Sequence, residues 1–320
     1  MENNSILVTG GLGFIGSNLV NYLVEQGHKV YYTGRNFEEN KHKLSKLCIQ
    51  RAKFIEWDLT NEIPISFPAS IDYVYHLAGQ TSHSYSLENP LIDLKVNVEA
   101  SLRLLLYLKQ IKFTGKFIYA SSKGVTGIPE KLPVNEDSIS KPIDFYSANK
   151  FIVEEYLRIF NLQFGLNYTI LRVTNVYGPL QTINSPKKGI LNFFIGLAIQ
   201  GKDITIYGEG KQLRDYTYID DCISALELIR TSNSTDNETY YLGSGIGTEF
   251  HTMAELVVKS VGKGGIRYIP YPRNAKSIEI GDFIVNNTKL KSIGWKPTVT
   301  LEDGIRKTVE YYSVNLDNYL

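Results

Sequence analysis

From the N-terminus, short β-branched or aromatic runs alternate with longer stretches whose apolar positions recur every three or four residues. Ile6 to Thr9, Lys29 to Thr33 and Lys53 to Trp57 read as strands, with a helix to Gln26 after the first and another before the third. Further strands are predicted at Tyr73 to Leu77, Lys116 to Ala120 and Asn167 to Val173. This alternation predicts βαβ units, hence an α/β chain built on a doubly wound parallel sheet. Two predicted helices, Leu91 to Lys109 and Ala148 to Phe164, are apolar on more than one side. In the first, Leu91, Leu94, Val98, Leu102 and Leu105 form one face, while Ile92, Val96, Leu104 and Leu108 form another. One face packs on the sheet and the second needs a cover, for which a homodimer interface is expected. Beyond Gly178 the texture changes to Pro, Gly and short mixed elements. The expected division is a larger domain over 1–177 and a smaller C-terminal α/β domain over 178–320. Segments around 211–230 and 250–262 are expected to return to the first domain.

Composition narrows the class. The 320 residues are 43% apolar and 21% charged, which suits a globular chain with a substantial core. A net charge of +1 provides no basic field for nucleic acid or an anionic membrane, so any phosphate site must be local. No apolar run approaches the roughly 20 residues needed to span a bilayer. The start, Met1-Glu2-Asn3-Asn4, lacks the basic region of a signal peptide. The two cysteines, Cys48 and Cys222, match no metal or redox spacing. A cytoplasmic protein without a metal is expected.

Chemistry enters at the first strand–helix junction, Thr9-Gly10-Gly11-Leu12-Gly13-Phe14-Ile15-Gly16, where Gly11, Gly13 and Gly16 satisfy GxGxxG. Such glycines let the backbone approach a pyrophosphate while the helix N-terminus faces the anion, so a Rossmann dinucleotide site is expected. The second strand ends Thr33-Gly34-Arg35, without the acidic residue that takes both ribose hydroxyls. Gly34 leaves room and Arg35 offers a guanidinium to a 2′-phosphate, which favours NADP(H), with NAD as the alternative.

The order continues with Trp57-Asp58-Leu59, His76-Leu77-Ala78-Gly79, Asn97, Ser121-Ser122, Tyr146-Ser147-Ala148-Asn149-Lys150, Leu171 to Pro179 and Arg214-Asp215-Tyr216. Together with the glycine motif, these resemble the extended short-chain dehydrogenase/reductase family that modifies nucleotide sugars, along nearly the whole chain. The resemblance implies a cofactor site at Gly10, Gly13, Phe14, Ile15, Gly16 and Arg35. It implies that Asp58 beside Leu59 bonds the adenine, that Leu77, Ala78 and Gly79 line the cleft, and that Asn97 braces the central helix. Read alone, Asp58 is equally a turn cap and His76 a satisfied core histidine.

Tyr146 and Lys150, at i and i+4, share one helix face. A phenol with a pKa near ~10 carries protons poorly at neutral pH, and neighbouring cations favour its phenolate. Lys150 and an oxidised nicotinamide are such cations, which makes Tyr146 and Lys150 the expected acid–base pair, and the resemblance adds Ser122 as the hydroxyl that holds the substrate oxygen, with Ser121 as the alternative. For the substrate, the resemblance points to Asn175, Leu191 and Arg214 for the nucleotide diphosphate and to Thr81 and His83 for the sugar. Glu279 stands where many relatives have Arg, leaving Arg273 as the candidate for that phosphate contact.

Departures from the family pattern narrow the reaction. Relatives that dehydrate carry Asp-Glu after the catalytic hydroxyl residue, where this chain has Lys123-Gly124. Dual epimerase-reductases place Cys and His where this chain has Gly124 and Leu180. The expectation is an NADP(H)-dependent reductase of a 4-keto, 6-deoxy nucleotide-diphosphate sugar. A 4-epimerase holding NAD is second, and a catalytically silent dinucleotide sensor third.

Overall fold

In the first strand, β1 (Ser5–Thr9), Ile6, Leu7 and Val8 are all fully buried, as expected of a strand covered on both faces. Their side chains alternate between two cores. Ile6 and Val8 join a cluster with Leu19, Val20 and Leu226, whereas Leu7 joins Leu104, Phe117, Val153 and Leu157. Helices Phe14–Glu25 and Ile219–Thr231 therefore cover one face, and Ala100–Gln110 and Phe145–Phe164 the other. The computed structural model on which this description rests describes residues 3–271 and 280–320.

The strands β2 (Lys29–Gly34), β3 (Lys53–Glu56), β4 (Tyr73–His76), β5 (Lys116–Ser122) and β6 (Asn167–Val173) complete the expected sheet. A seventh strand, Glu238–Leu242, pairs parallel to β6 with Glu238 opposite Thr169 and Leu242 opposite Val173. The order across the sheet is β3-β2-β1-β4-β5-β6 and then this seventh strand, all parallel. Between β1 and β4 the winding reverses, and the crevice at their carboxyl ends is the usual ligand position of such a sheet. The buried Lys116 ammonium fixes the last helix before the seventh strand. It donates to the Ile229 and Ser232 carbonyls at 3.0 and 2.6 Å and pairs with Asp236 at 2.6 Å.

The rest of the chain builds a smaller unit over that crevice. The strands Asn175–Tyr177, Leu213–Tyr218 and Gly247–Glu249 form one sheet, and Ile204–Tyr207 pairs with Ile266–Ile269 in another. Helix Phe250–Val261 packs on Ile190–Ile199 and Leu301–Asn315, while Ile219–Thr231 packs on Phe14–Glu25. Asp215 is fully buried and joins the pieces, accepting from Ser244 N, Gly245 N and Val285 N at 2.7, 3.0 and 3.3 Å.

Candidate active site

Ser122 ends β5, and strand alternation turns it to the side opposite Ser121. Its Oγ accepts from the Gly124 amide at 3.1 Å, capping the turn Lys123–Thr126. Ser121 instead bonds Glu154, a carboxylate held by Arg172 at 2.7 Å in a buried ion pair. The helix Phe145–Phe164 begins where Asp144 caps it, accepting from Ser147 N at 2.8 Å, and ends at Gly165 in the left-handed region. Its first turn presents Tyr146, and its second presents Lys150, whose Nζ donates to the Ala120 carbonyl at 3.0 Å. Burial pushes the Tyr146 phenol up to about 12, with a hydrogen bond from Ser122 acting the other way. Burial pushes Lys150 down to about 8, against the pull of Asp93 and Glu154. A further cation beside the pair would favour the phenolate.

Asp93, which the motif reading did not single out, is fully buried beneath this helix. It accepts from Gln80 Nε2 at 2.6 Å, Asn149 Nδ2 at 2.7 Å and Asn97 Nδ2 at 3.1 Å. Asn97 sits in a π-helical stretch, Lys95–Glu99, and grips Gln80 by both its N–H and its C=O at 3.1 Å. Its bracing therefore fixes the loop that follows β4 and carries Leu77, Ala78 and Gly79.

The glycine loop has room for nothing but hydrogen at Gly10 and Gly16. Gly10 has φ +71°, and a Cβ there would lie 2.8 Å from Ala78 Cα; at Gly16 it would lie 2.1 Å from the Gly10 carbonyl. The Phe14 and Ile15 amides thus open the helix next to bare backbone, a cradle suited to a pyrophosphate. His76 locks the cradle from below. Ser101 donates its hydroxyl to Asn97 O, so it accepts from His76 Nε2 at 2.8 Å, and Nδ1 accepts from Thr9 at 2.7 Å. Burial lowers this imidazole to about 3 and keeps it neutral. It is a satisfied core histidine.

At the adenosine end, Arg35 is mostly exposed and pairs with Asp58 at 3.1 Å. Asp58 also accepts from Thr60 N at 2.9 Å, and the Thr60 and Arg35 bonds hold its carboxyl below the usual range although burial opposes them. Leu59 is half-buried beside it. A cleft of about 400 Å³ opens there, with Glu56 and Glu62 in its wall as well as Arg35 and Asp58. A Cβ at Gly34 would meet Leu12 Cδ1 at 2.8 Å, so the missing acidic residue has no place without moving Leu12. Lys43, another cation absent from the motif reading, donates to the Leu12 carbonyl at 3.3 Å.

The expected substrate residues occupy different settings. Asn175 donates to Asp215 O at 2.8 Å and accepts from Lys123 Nζ at 3.1 Å, so the lysine that replaces the dehydratase acid reaches the same spot. Arg214 donates to Leu213 O at 2.9 Å and to Gly281 O at 2.5 Å. Asp221 is engaged away from it, accepting from Thr298 N and Val299 N at 2.9 and 3.1 Å. Leu191 is buried in the core of the smaller unit, and Thr81 is exposed at the mouth of the loop after β4. His83 stands edge-on to Tyr146 and bonds Asp144. Arg273 and Glu279 lie outside the described residues. Among the described residues, no cluster of three His, Cys, Asp or Glu could hold a metal ion, and no helix is long and apolar enough to cross a membrane.

A sequence model of the NAD dependent epimerase/dehydratase family matches residues 6–243, which include the glycine loop, the Tyr146–Lys150 helix and all seven sheet strands but the first residue of β1. The chain belongs to this family. It is 31% identical over 316 residues to a putative UDP-glucose 4-epimerase of Methanocaldococcus jannaschii, covering 97% of this chain and 99% of that protein. Among solved structures, the UDP-glucose 4-epimerase of Thermotoga maritima with UDP-glucose superposes with a TM-score of 0.86 at 33% identity, over 98% of this chain and 99% of that one. The UDP-glucose 4-epimerase of Thermus thermophilus with NAD gives 0.83 at 28%, over 97% and 99%. As a family member, the chain is an epimerase/dehydratase-type enzyme with a Rossmann fold.

Proposed function

We propose that the chain transfers a hydride at carbon 4 of a nucleotide-diphosphate sugar, with Tyr146 moving the proton of the C4 oxygen. The glycine loop and the Phe14 and Ile15 amides would hold a nicotinamide dinucleotide, which would supply or accept the hydride. Ser122 holds the C4 oxygen, and Lys150 lowers the cost of the phenolate. The observation carrying this reading is the convergence of Ser122, Tyr146 and Lys150 at the carboxyl end of β5, two strands from the glycine loop. The diphosphate is assigned to Arg214 and the Lys123–Asn175 pair, and the sugar to Thr81 and His83. A second copy of the chain covers the apolar outer face of the Tyr146 helix, giving a homodimer.

The net direction assigned is reduction of a 4-keto sugar by NADPH. Gly34 leaves no acceptor for the ribose hydroxyls, and Arg35 reaches the cleft where a 2′-phosphate would lie. Epimerisation on a retained NAD is the second reading. It is favoured by the 4-epimerases among the relatives, and by Glu56 and Glu62, whose charge in that cleft suits hydroxyls rather than phosphate. Cofactor kinetics separate the two. With UDP-4-keto-6-deoxyglucose, NADPH should be oxidised in preference to NADH. A charge-assisted contact of about 1.5 to 3 kcal/mol predicts that Arg35→Ala raises the KM for NADPH roughly tenfold or more, with little change for NADH. Equal use of both cofactors, unaltered by the substitution, would remove the reductase reading.

A further inference from the structure

Tyr146 is 7% exposed and Lys150 4%, so a phenol that has given its proton to a substrate has little direct access to water. Beside them lies a group with access to both. The His83 side chain is 39% exposed, and its ring meets the Tyr146 ring edge-on with centroids 4.8 Å apart. Its Cε1 comes within 3.2 Å of the position a Cβ would take at Gly124, two residues beyond Ser122. Its Nδ1 bonds Asp144 Oδ2 at 2.8 Å, and that carboxylate, 3% exposed, also caps the helix that presents Tyr146.

We propose that His83, oriented by Asp144, is the proton relay between Tyr146 and solvent. This rests on Tyr146 being the acid–base group of the proposed reaction. The carboxylate accepts Nδ1–H and leaves Nε2 as the exchanging nitrogen. In reduction, the Tyr146 O–H bond breaks and its proton goes to the C4 oxygen. The His83 imidazolium then gives its Nε2 proton to the phenolate, directly or through one water, and the neutral Nδ1–H imidazole left behind takes a proton from bulk water. Each cycle takes up one proton, as reduction of a ketone requires. Simple epimerisation returns the same proton to the sugar and has no such need. His83 acts through Tyr146 and is a positioning residue in that sense. Charged and titratable groups on the elements packed around it include Asp144, Tyr146 and Lys150, Lys123 in the turn after β5, Asp93 on the following helix, and Tyr85 and Glu88 on its own. Asp144 is the one that bonds the ring. Gln80 is engaged elsewhere, with Asp93 and Ser82.

Two readouts test the proposal. In steady-state oxidation of NADPH by UDP-4-keto-6-deoxyglucose, His83→Ala and His83→Gln should both lose roughly tenfold to a hundredfold in kcat, over and above the rise in KM from the lost sugar contact. Added imidazole should restore the Ala variant. A merely structural histidine would be replaced by Gln and indifferent to imidazole, which would overturn the relay. The second readout needs no turnover. In the 15N-histidine spectrum of the enzyme with bound dinucleotide, five histidines are present and His83→Gln assigns one of them. His83 should be the Nδ1–H tautomer when neutral, should lose that preference in Asp144→Asn, and should shift its titration in Tyr146→Phe. A titration indifferent to both substitutions overturns the proposal. Absence of turnover with coupling intact would instead remove the reductase reading and leave the dyad standing.

Discussion

Tyr146 is the residue on which the chemistry turns, and its surroundings define what it needs. Burial, with the nearby carboxylates Asp144 and Asp93 adding to it, pushes the phenol up to about 12, and the hydrogen bond from Ser122 offsets only part of that. The proton is therefore available for donation, while its removal calls for cations nearby. Lys150 is one, yet its own burial has lowered it to about 8, so it loses its charge as pH rises through that value. Tyr146→Phe keeps the ring and its packing and removes the proton path. Turnover should fall about 10²- to 10⁴-fold, while dinucleotide affinity by fluorescence titration stays within about twofold. The wild-type rate should decline above about pH 8 as Lys150 deprotonates. Near wild-type turnover in Tyr146→Phe would exclude the assignment.

Among the elements, the helix Phe145–Phe164 links catalysis to assembly. Its inner face, Val153, Leu157 and Phe160, is buried against the sheet. Ile159, Leu162 and Phe164 on the outer side are exposed, as are Leu91, Ile92 and Leu94 on the neighbouring helix. Covering one such side chain is worth roughly 1.5 to 3 kcal/mol, enough for a few of them to hold two copies together. Light scattering at micromolar protein should give the dimer mass, and Leu91→Glu with Leu162→Glu should give the monomer. A monomeric wild type would mean that these faces have another role. Helix periodicity displays the second apolar face of Ala148 to Phe164 directly, but it misassigns Leu91 to Lys109: Leu104, Leu105 and Leu108, expected on different faces, are buried together, and Leu91, Ile92 and Leu94 are exposed together. The strand Glu238–Leu242 was not readable in the sequence, because its partner β6 lies more than 60 residues earlier and nothing local in Glu-Thr-Tyr-Tyr-Leu announces a sheet edge. The glycine loop and the Tyr146–Lys150 spacing were legible, since close backbone approach and i,i+4 geometry restrict residue types. Asp93, Asp144 and Lys43 were not, since a polar residue is a site member only through partners that the fold brings from elsewhere.

In the whole molecule, the crevice between β1 and β4 lies under a smaller unit tied to the sheet by Asp215 and by the chain's return through Ile219–Thr231 to the seventh strand. That arrangement suits a reaction between two bound molecules, a dinucleotide on the Rossmann side and a nucleotide sugar on the other. The central claim is that a hydride passes between them at carbon 4. Incubating the purified protein with UDP-4-keto-6-deoxyglucose and NADPH carrying deuterium at nicotinamide C4, then measuring the product by mass spectrometry and NMR, tests it directly. The account predicts one deuterium per sugar, bound at C4, when the label is on the transferred face of the nicotinamide. A product without deuterium from either labelled face, or with deuterium at another carbon, would contradict it.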